Sequence, residues 1–111
     1  MNEIALSHIS FDIETYNPKG VPRPEKDPVI MISYTNGSDS KVLTTKKVEK
    51  DFVLIFENEK ALIQGFSNII SELDPDIIAG YNSSNFDLPY LLARSKATKA
   101  NFSIGLSLIH I

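Results

Sequence analysis

A chain of 111 residues is long enough for one small domain, and 42% hydrophobic with 23% charged residues excludes disorder as the default. A formal net charge of −3 argues against a simple electrostatic clamp on nucleic acid, but not against an acidic centre that holds divalent cations. With no cysteine, disulfides, thiolate zinc sites and a Cys nucleophile are excluded.

Ile4 to Thr15 reads as a strand, with Ile9, Phe11 and Ile13 on one face and Ser10, Asp12 and Glu14 on the other. Asn17 to Pro28 carries Gly20 and four prolines, so a loop follows. Val29 to Thr35 is a short, nearly continuous apolar run that suits a buried strand. Asn36-Gly37 predicts a hairpin into Lys41–Thr45, and Phe52 to Phe56 reads as another short strand.

Asn58 is the expected N-cap of a helix. Leu62, Ile63, Phe66, Ile69, Ile70 and Leu73 make its apolar stripe, and Asp74-Pro75 ends it. Ile77 to Tyr81 is a strand. A second helix is expected to start near Asp87, with Pro89 in its first turn, Leu88, Leu91 and Leu92 buried, and Arg94, Lys96 and Lys99 at its far end. Early hairpins and a later helical crossover imply a mixed sheet in which the first strand and Ile77–Tyr81 are parallel neighbours. No apolar run approaches a membrane span, and Met1-Asn2-Glu3 lacks the basic start of a signal peptide, so a cytoplasmic protein without a membrane partner is expected.

Asp12 and Glu14 lie two apart on a strand, so both carboxylates share a face and can cradle a hard cation; alternating acids are also what a solvated face looks like. Asp87 at a helix start has an ordinary role in meeting free backbone N–H groups. Parallel pairing of the two strands would bring Asp12, Glu14, Asn82 and Asp87 to one sheet edge, where open sheets place ligands. Three carboxylates there repel one another unless cations sit between them, which suggests two divalent ions roughly 4 Å apart and phosphodiester hydrolysis. Asn82 can meet a phosphate or orient Asp87, or simply bond backbone; Phe86 can stack on a base or pack under its helix. Tyr81 and Tyr90 read as structural. His8 and His110 lack metal-ligand spacing, and Lys41, Lys46, Lys47 and Lys50 read as a solvated edge.

Ile9-Ser10-Phe11-Asp12-Ile13-Glu14-Thr15 resembles the first exonuclease motif of family B DNA polymerases, and Tyr81-Asn82-Ser83-Ser84-Asn85-Phe86-Asp87 resembles the second. The stretches Tyr16 to Gly20, Pro22 to Pro24, Lys26 to Ser33 and Asp74 to Gly80 are similar to archaeal members, and the resemblance covers nearly all of Ile4 to Gly105. It implies an α/β, ribonuclease-H-like mixed sheet with flanking helices, truncated before its last strand and helix. It also implies two Mg²⁺ or Mn²⁺ ions and stepwise removal of nucleotides from a single-stranded or frayed DNA 3′ end, for proofreading during replication. In that reading Asp12 bridges both metals, Glu14 serves the metal that activates water, and Asp87 serves the second. Asn82 and Phe86 position the terminal nucleotides, and Thr15 offers its backbone N–H.

Two features depart from the family. Its third motif, Tyr-x-x-x-Asp, has no counterpart after Asp87, and neither the family's N-terminal domain nor its polymerase domains are present. The chain alone is therefore expected to be inactive, and the other polymerase domains are its expected partners. Leu106 to Ile111 differs from the family's continuation and resembles adapter read-through; a true edge strand is the alternative. The expected organisation is a partial exonuclease domain over 1–105 and a doubtful tail over 106–111. A non-catalytic nucleic-acid-binding relic and a stand-alone exonuclease of the same fold are the other functional readings.

Overall fold

The computed structural model describes residues 7–16, 20–80 and 84–102, and for residues 80 and 84–87 it describes the backbone alone. The elements run β1 (His8–Thr15), β2 (Val29–Thr35), β3 (Ser40–Thr44), β4 (Val53–Ile55), α1 (Glu59–Leu73), β5 (Ile77–Gly80) and α2 (Ser84–Thr98). The strands form one mixed sheet in the order β4-β3-β2-β1-β5. β2 pairs antiparallel with β1 and β3, while β5 runs parallel to β1 and β4 parallel to β3. The parallel β1–β5 pair is the one the sequence predicts; the β3–β4 pair, between short strands, has no sequence signal of its own.

The core follows from the alternation along β1. Ile9, Phe11 and Ile13 are buried in a single cluster with Ile32, Tyr34, Leu43 and Ile78 from the sheet and Leu62, Phe66, Leu88 and Leu91 from the helices. Phe66 has no exposed surface and sits at the centre. Its ring lies 5.4 Å from that of Phe11, 6.2 Å from Tyr34 and 6.3 Å from Phe102, separations typical of stabilising aromatic pairs.

Local signals set the element ends. Asn36 closes the β2–β3 turn by accepting hydrogen bonds from the amides of Ser38 and Asp39, and Gly37 takes a positive φ of 96° that other residues adopt at a cost. Asn58 caps α1, its side-chain oxygen accepting from Ala61 N–H at 2.8 Å. Asp74 ends α1 in the left-handed region, donating its N–H to the Ile70 carbonyl at 2.8 Å. Within α1, Gly65 lets the Phe56 ring lie directly against the helix, because a Cβ there would collide with that ring.

The second helix departs from the sequence expectation. It begins at Ser84, not near Asp87, so Pro89 falls inside the helix and removes one backbone hydrogen bond beyond the first turn. Leu92 is exposed, not buried. Successive residues rotate about 100° around a helix, and the buried arc runs through Tyr90, Arg94, Leu91, Ser95 and Leu88. That arc stops short of Leu92. Arg94 is drawn into the interior and is not at a free helix end, and Lys99 follows the helix at a φ of 63°. Leu73, expected on the α1 stripe, is also exposed.

Phe66→Ala should lower the unfolding free energy by about 3–5 kcal/mol in denaturant titration, since it empties the centre of the core. Gly65→Val should cost about 1–3 kcal/mol by the same measurement, because its branched carbon must displace the Phe56 ring; unchanged stability would show that the ring can swing away.

Candidate functional site

The alternation that buries Ile9, Phe11 and Ile13 turns Ser10, Asp12 and Glu14 to the other side of the sheet. Across the β1–β2 ladder, Ser10 pairs with Thr35, Asp12 with Ser33 and Glu14 with Met31. A groove of about 310 Å³ runs over this face, lined by Ser10, Asp12, Ser33, Thr35, Ser40 and Lys41 among others. Asp12 is half-buried within it, and Glu14 is exposed. The register shifts between Glu14 and Thr15, so the ladder is irregular at the end of β1.

Parallel β5 ends at Gly80, which pairs with Phe11 beside Asp12. The carboxyl ends of β1 and β5 therefore lie together, and α2 begins four residues later at Ser84. Asp12 and Glu14 are brought onto one face as expected. Phe86 and Asp87 stand in the first turn of α2, but their side chains lie outside the described residues, as does Asn82 entirely. Among the described residues no group of three or more His, Cys, Asp or Glu is arranged to hold a metal ion. The donors present, two carboxylates on one strand face, have the hard-oxygen chemistry that suits Mg²⁺ or Mn²⁺ and lack the soft ligands of zinc or copper sites.

Thr15 ends β1 opposite Val29. Beyond it the chain is held by a polar clasp that sequence reading missed. The Arg94 guanidinium donates from Nε to Glu59 Oε2 at 2.8 Å, from Nη2 to Glu59 Oε1, and from Nη1 to the Pro24 carbonyl at 3.0 Å. Glu59 Oε2 also accepts the Val29 N–H at 2.7 Å. The Tyr90 hydroxyl donates to the Asp27 carbonyl at 2.7 Å, and Tyr16 N–H donates to Pro28 O at 2.9 Å. The proline-rich segment is thus tied to α1, α2 and the end of β1. No local pattern announces this: Glu59 reads as an ordinary first-turn acid and Arg94 as an ordinary last-turn cation, and only the tertiary fold brings them together.

Electrostatics follow burial. The Glu59 carboxylate, accepting hydrogen bonds from the Arg94 guanidinium, pushes the arginine further toward its charged form, against the opposing effect of burial. Burial is the largest cause of a raised phenol pKa at Tyr90, and Asp27 adds to it; at Tyr34 burial again leads, followed by Asp39.

A family model described as DNA polymerase family B, exonuclease domain, matches residues 2–109. The DNA polymerase of Pyrococcus glycovorans is 40% identical over 100 residues, which are 90% of this chain and 13% of that protein. The DNA polymerase of Methanocaldococcus jannaschii is 37% identical over 90% of this chain and 6% of its own length. The structure of the family B DNA polymerase from the hyperthermophilic archaeon Pyrobaculum calidifontis superposes with a TM-score of 0.74 at 34% identity, covering 93% of this chain and 12% of that one. The chain spans about an eighth or less of the length of these relatives. Among the described residues, no helix is long and apolar enough to cross a membrane.

Stability should fall in alkali. The folded-state pKa values of Tyr34 and Tyr90 lie above the ordinary 10.0, so their contribution is complete below pH 10.0 and is lost as pH rises through the raised folded values. Urea midpoints compared at neutral pH and at about pH 11 should show this drop, and Tyr90→Phe should make it smaller. An equal drop in that variant would assign the effect to other groups.

Proposed function

We propose, for a chain that belongs to the exonuclease-domain family of family B DNA polymerases, that it removes nucleotides from DNA 3′ ends by metal-assisted hydrolysis, as the proofreading part of a replicative polymerase. The observation that carries this reading is the shared polar face of Asp12 and Glu14, at the sheet edge where parallel β5 ends. Open sheets with this topology place ligands at such an edge.

Asp12, Glu14 and Asp87 would hold two Mg²⁺ or Mn²⁺ ions. Bound there, the ions supply an activated water and stabilise the charge that builds on the leaving oxygen. The chain's own residues do the positioning. Asp12 lies on β1, paired with Ser33 of β2 and one residue past the Phe11–Gly80 pairing with β5, so its backbone is anchored beside both strands. The Ser10, Ser33 and Ser40 hydroxyls of the groove offer hydrogen bonds suited to phosphate and sugar oxygens. Thr15 offers its backbone N–H near the DNA terminus, while Asn82 and Phe86 orient the last nucleotides, Phe86 by stacking. The substrate is a single-stranded or frayed 3′ end, whose terminal bases are free to stack on an aromatic side chain. Residues 1–105 form part of the exonuclease domain, which works beside the remaining polymerase domains.

In the complete polymerase that carries this domain, Asp12→Ala should lower hydrolysis of single-stranded or mispaired 3′ ends by about 100-fold or more while DNA synthesis continues. An unchanged exonuclease rate would remove Asp12 from the site. Tight binding of single-stranded DNA that neither needs metal nor leads to hydrolysis would favour a binding module.

A further inference from the structure

The end of β1 is poorly held by its own sheet. The ladder shifts register between Glu14 and Thr15, and among the described strands β5 stops at Gly80, opposite Phe11. Glu14 therefore lies past the last paired residue of one neighbour and at a break with the other. Something else must fix the strand end relative to α2, the helix whose first turn contains Asp87.

We propose that Tyr90 and Arg94 are positioning residues for the exonuclease site, an inference that rests on the function proposed above: they set α2 in register with the end of β1 through the proline-rich segment. Tyr90 and Arg94 are one turn apart, so both project from the same side of α2. Each grips a carbonyl of that segment, Asp27 at 2.7 Å and Pro24 at 3.0 Å. The segment then reaches β1 directly, through Tyr16 N–H on Pro28 O and the pairing of Thr15 with Val29. Glu59 closes the frame, since one carboxylate oxygen takes both the Arg94 Nε–H and the Val29 N–H. Asp87 precedes Tyr90 by three residues and Thr15 follows Glu14 by one, so the frame links the two elements that carry these acids. Tyr90 and Arg94 are themselves buried, at 3% and 8% exposure, and cannot reach a DNA strand. Their contribution is to geometry, and it should fall on kcat and leave substrate binding alone.

The test uses the complete polymerase carrying this domain, with single-stranded DNA as substrate. Tyr90→Phe keeps the ring in the core and removes the hydroxyl, with its grip on Asp27 and its hydrogen bond to Thr15; Arg94→Met removes the charged fork. Exonuclease kcat should fall by roughly 10- to 100-fold in Arg94→Met and by less in Tyr90→Phe, with KM for DNA within about twofold of wild type and DNA synthesis unchanged. Amide hydrogen exchange at Tyr16 and Val29 should speed up in Arg94→Met, which would report the loosened frame independently of activity. Wild-type kcat in both variants would overturn the positioning role alone. So would a loss of kcat that tracks loss of DNA synthesis and a lower unfolding temperature in Tyr90→Phe as well as Arg94→Met, since that is what a merely structural role predicts. A wild-type protein with no exonuclease activity would overturn the functional reading, and this inference with it.

Discussion

The rest of the structure depends on the register of β1. Its side chains alternate with a period of two, so burying Ile9, Phe11 and Ile13 forces Ser10, Asp12 and Glu14 to the opposite face. A slip of one residue would expose two isoleucines and a phenylalanine and press two carboxylates into the core. Each apolar side chain contributes about 1.5–3 kcal/mol when fully buried, and an unpaired buried carboxylate costs more than that. The energetics that assemble the core therefore also present the acids. Function needs no separate folding information at this strand, because the hydrophobic pattern already specifies which side is chemical.

The Arg94–Glu59 pair works under a different constraint. Its side chains are 10% and 13% exposed, so both charges have lost most of their hydration. Attraction between them repays that loss only where further hydrogen bonds satisfy the remaining donors and acceptors. Here Pro24 and Val29 supply those bonds from a backbone segment. A proline-rich stretch contributes few amides of its own to any ladder, and it is held instead by side chains that reach out to it. Arginine suits this task because its planar fork can bind a carboxylate with two donors and a carbonyl with a third; a lysine has one compact head. The pair is better understood as a device for fixing where a loop sits than as a large source of stability.

The sequence made much of this legible. The alternation along β1, the Asn36-Gly37 turn, the Asn58 cap and the stop at Asp74-Pro75 all depend on residues close in the chain, and each falls where short-range chemistry places it. The parallel neighbour of β1 was legible too, because a helical crossover leaves few other arrangements. What escaped depends on distant partners. Asp87 and Pro89 look like first-turn residues, whereas α2 extends back to Ser84. Leu92 is expected to be buried with Leu88 and Leu91, but Tyr90 and Arg94 shift the buried arc away from it. Glu59, Arg94 and Tyr90 carry no motif, and their meeting requires elements 30 or more residues apart to dock. At the candidate site, the shared face of Asp12 and Glu14 is legible in strand parity, whereas the side chain of Asp87 lies outside the described residues.

An acidic face on an acidic chain is at odds with the polyanionic substrate proposed for it, and the conflict bears on the chemistry proposed. Two carboxylates on one face repel a phosphodiester as well as each other. A basic patch would remove the repulsion but would hold any stretch of backbone equally well, without distinguishing an end from an interior. Divalent cations invert the local charge only where several oxygens converge, so attraction for phosphate is confined to the edge where Asp12 and Glu14 lie. The groove hydroxyls beside them add hydrogen bonds without adding charge. Under the proposed function, the groove holds the strand while the spacing of the acids sets the reactive centre, so small errors in that spacing fall on the reaction and not on binding. Under that reading, a clasp remote from the DNA, built from Tyr90, Arg94 and Glu59, would bear on a reaction none of the three touches.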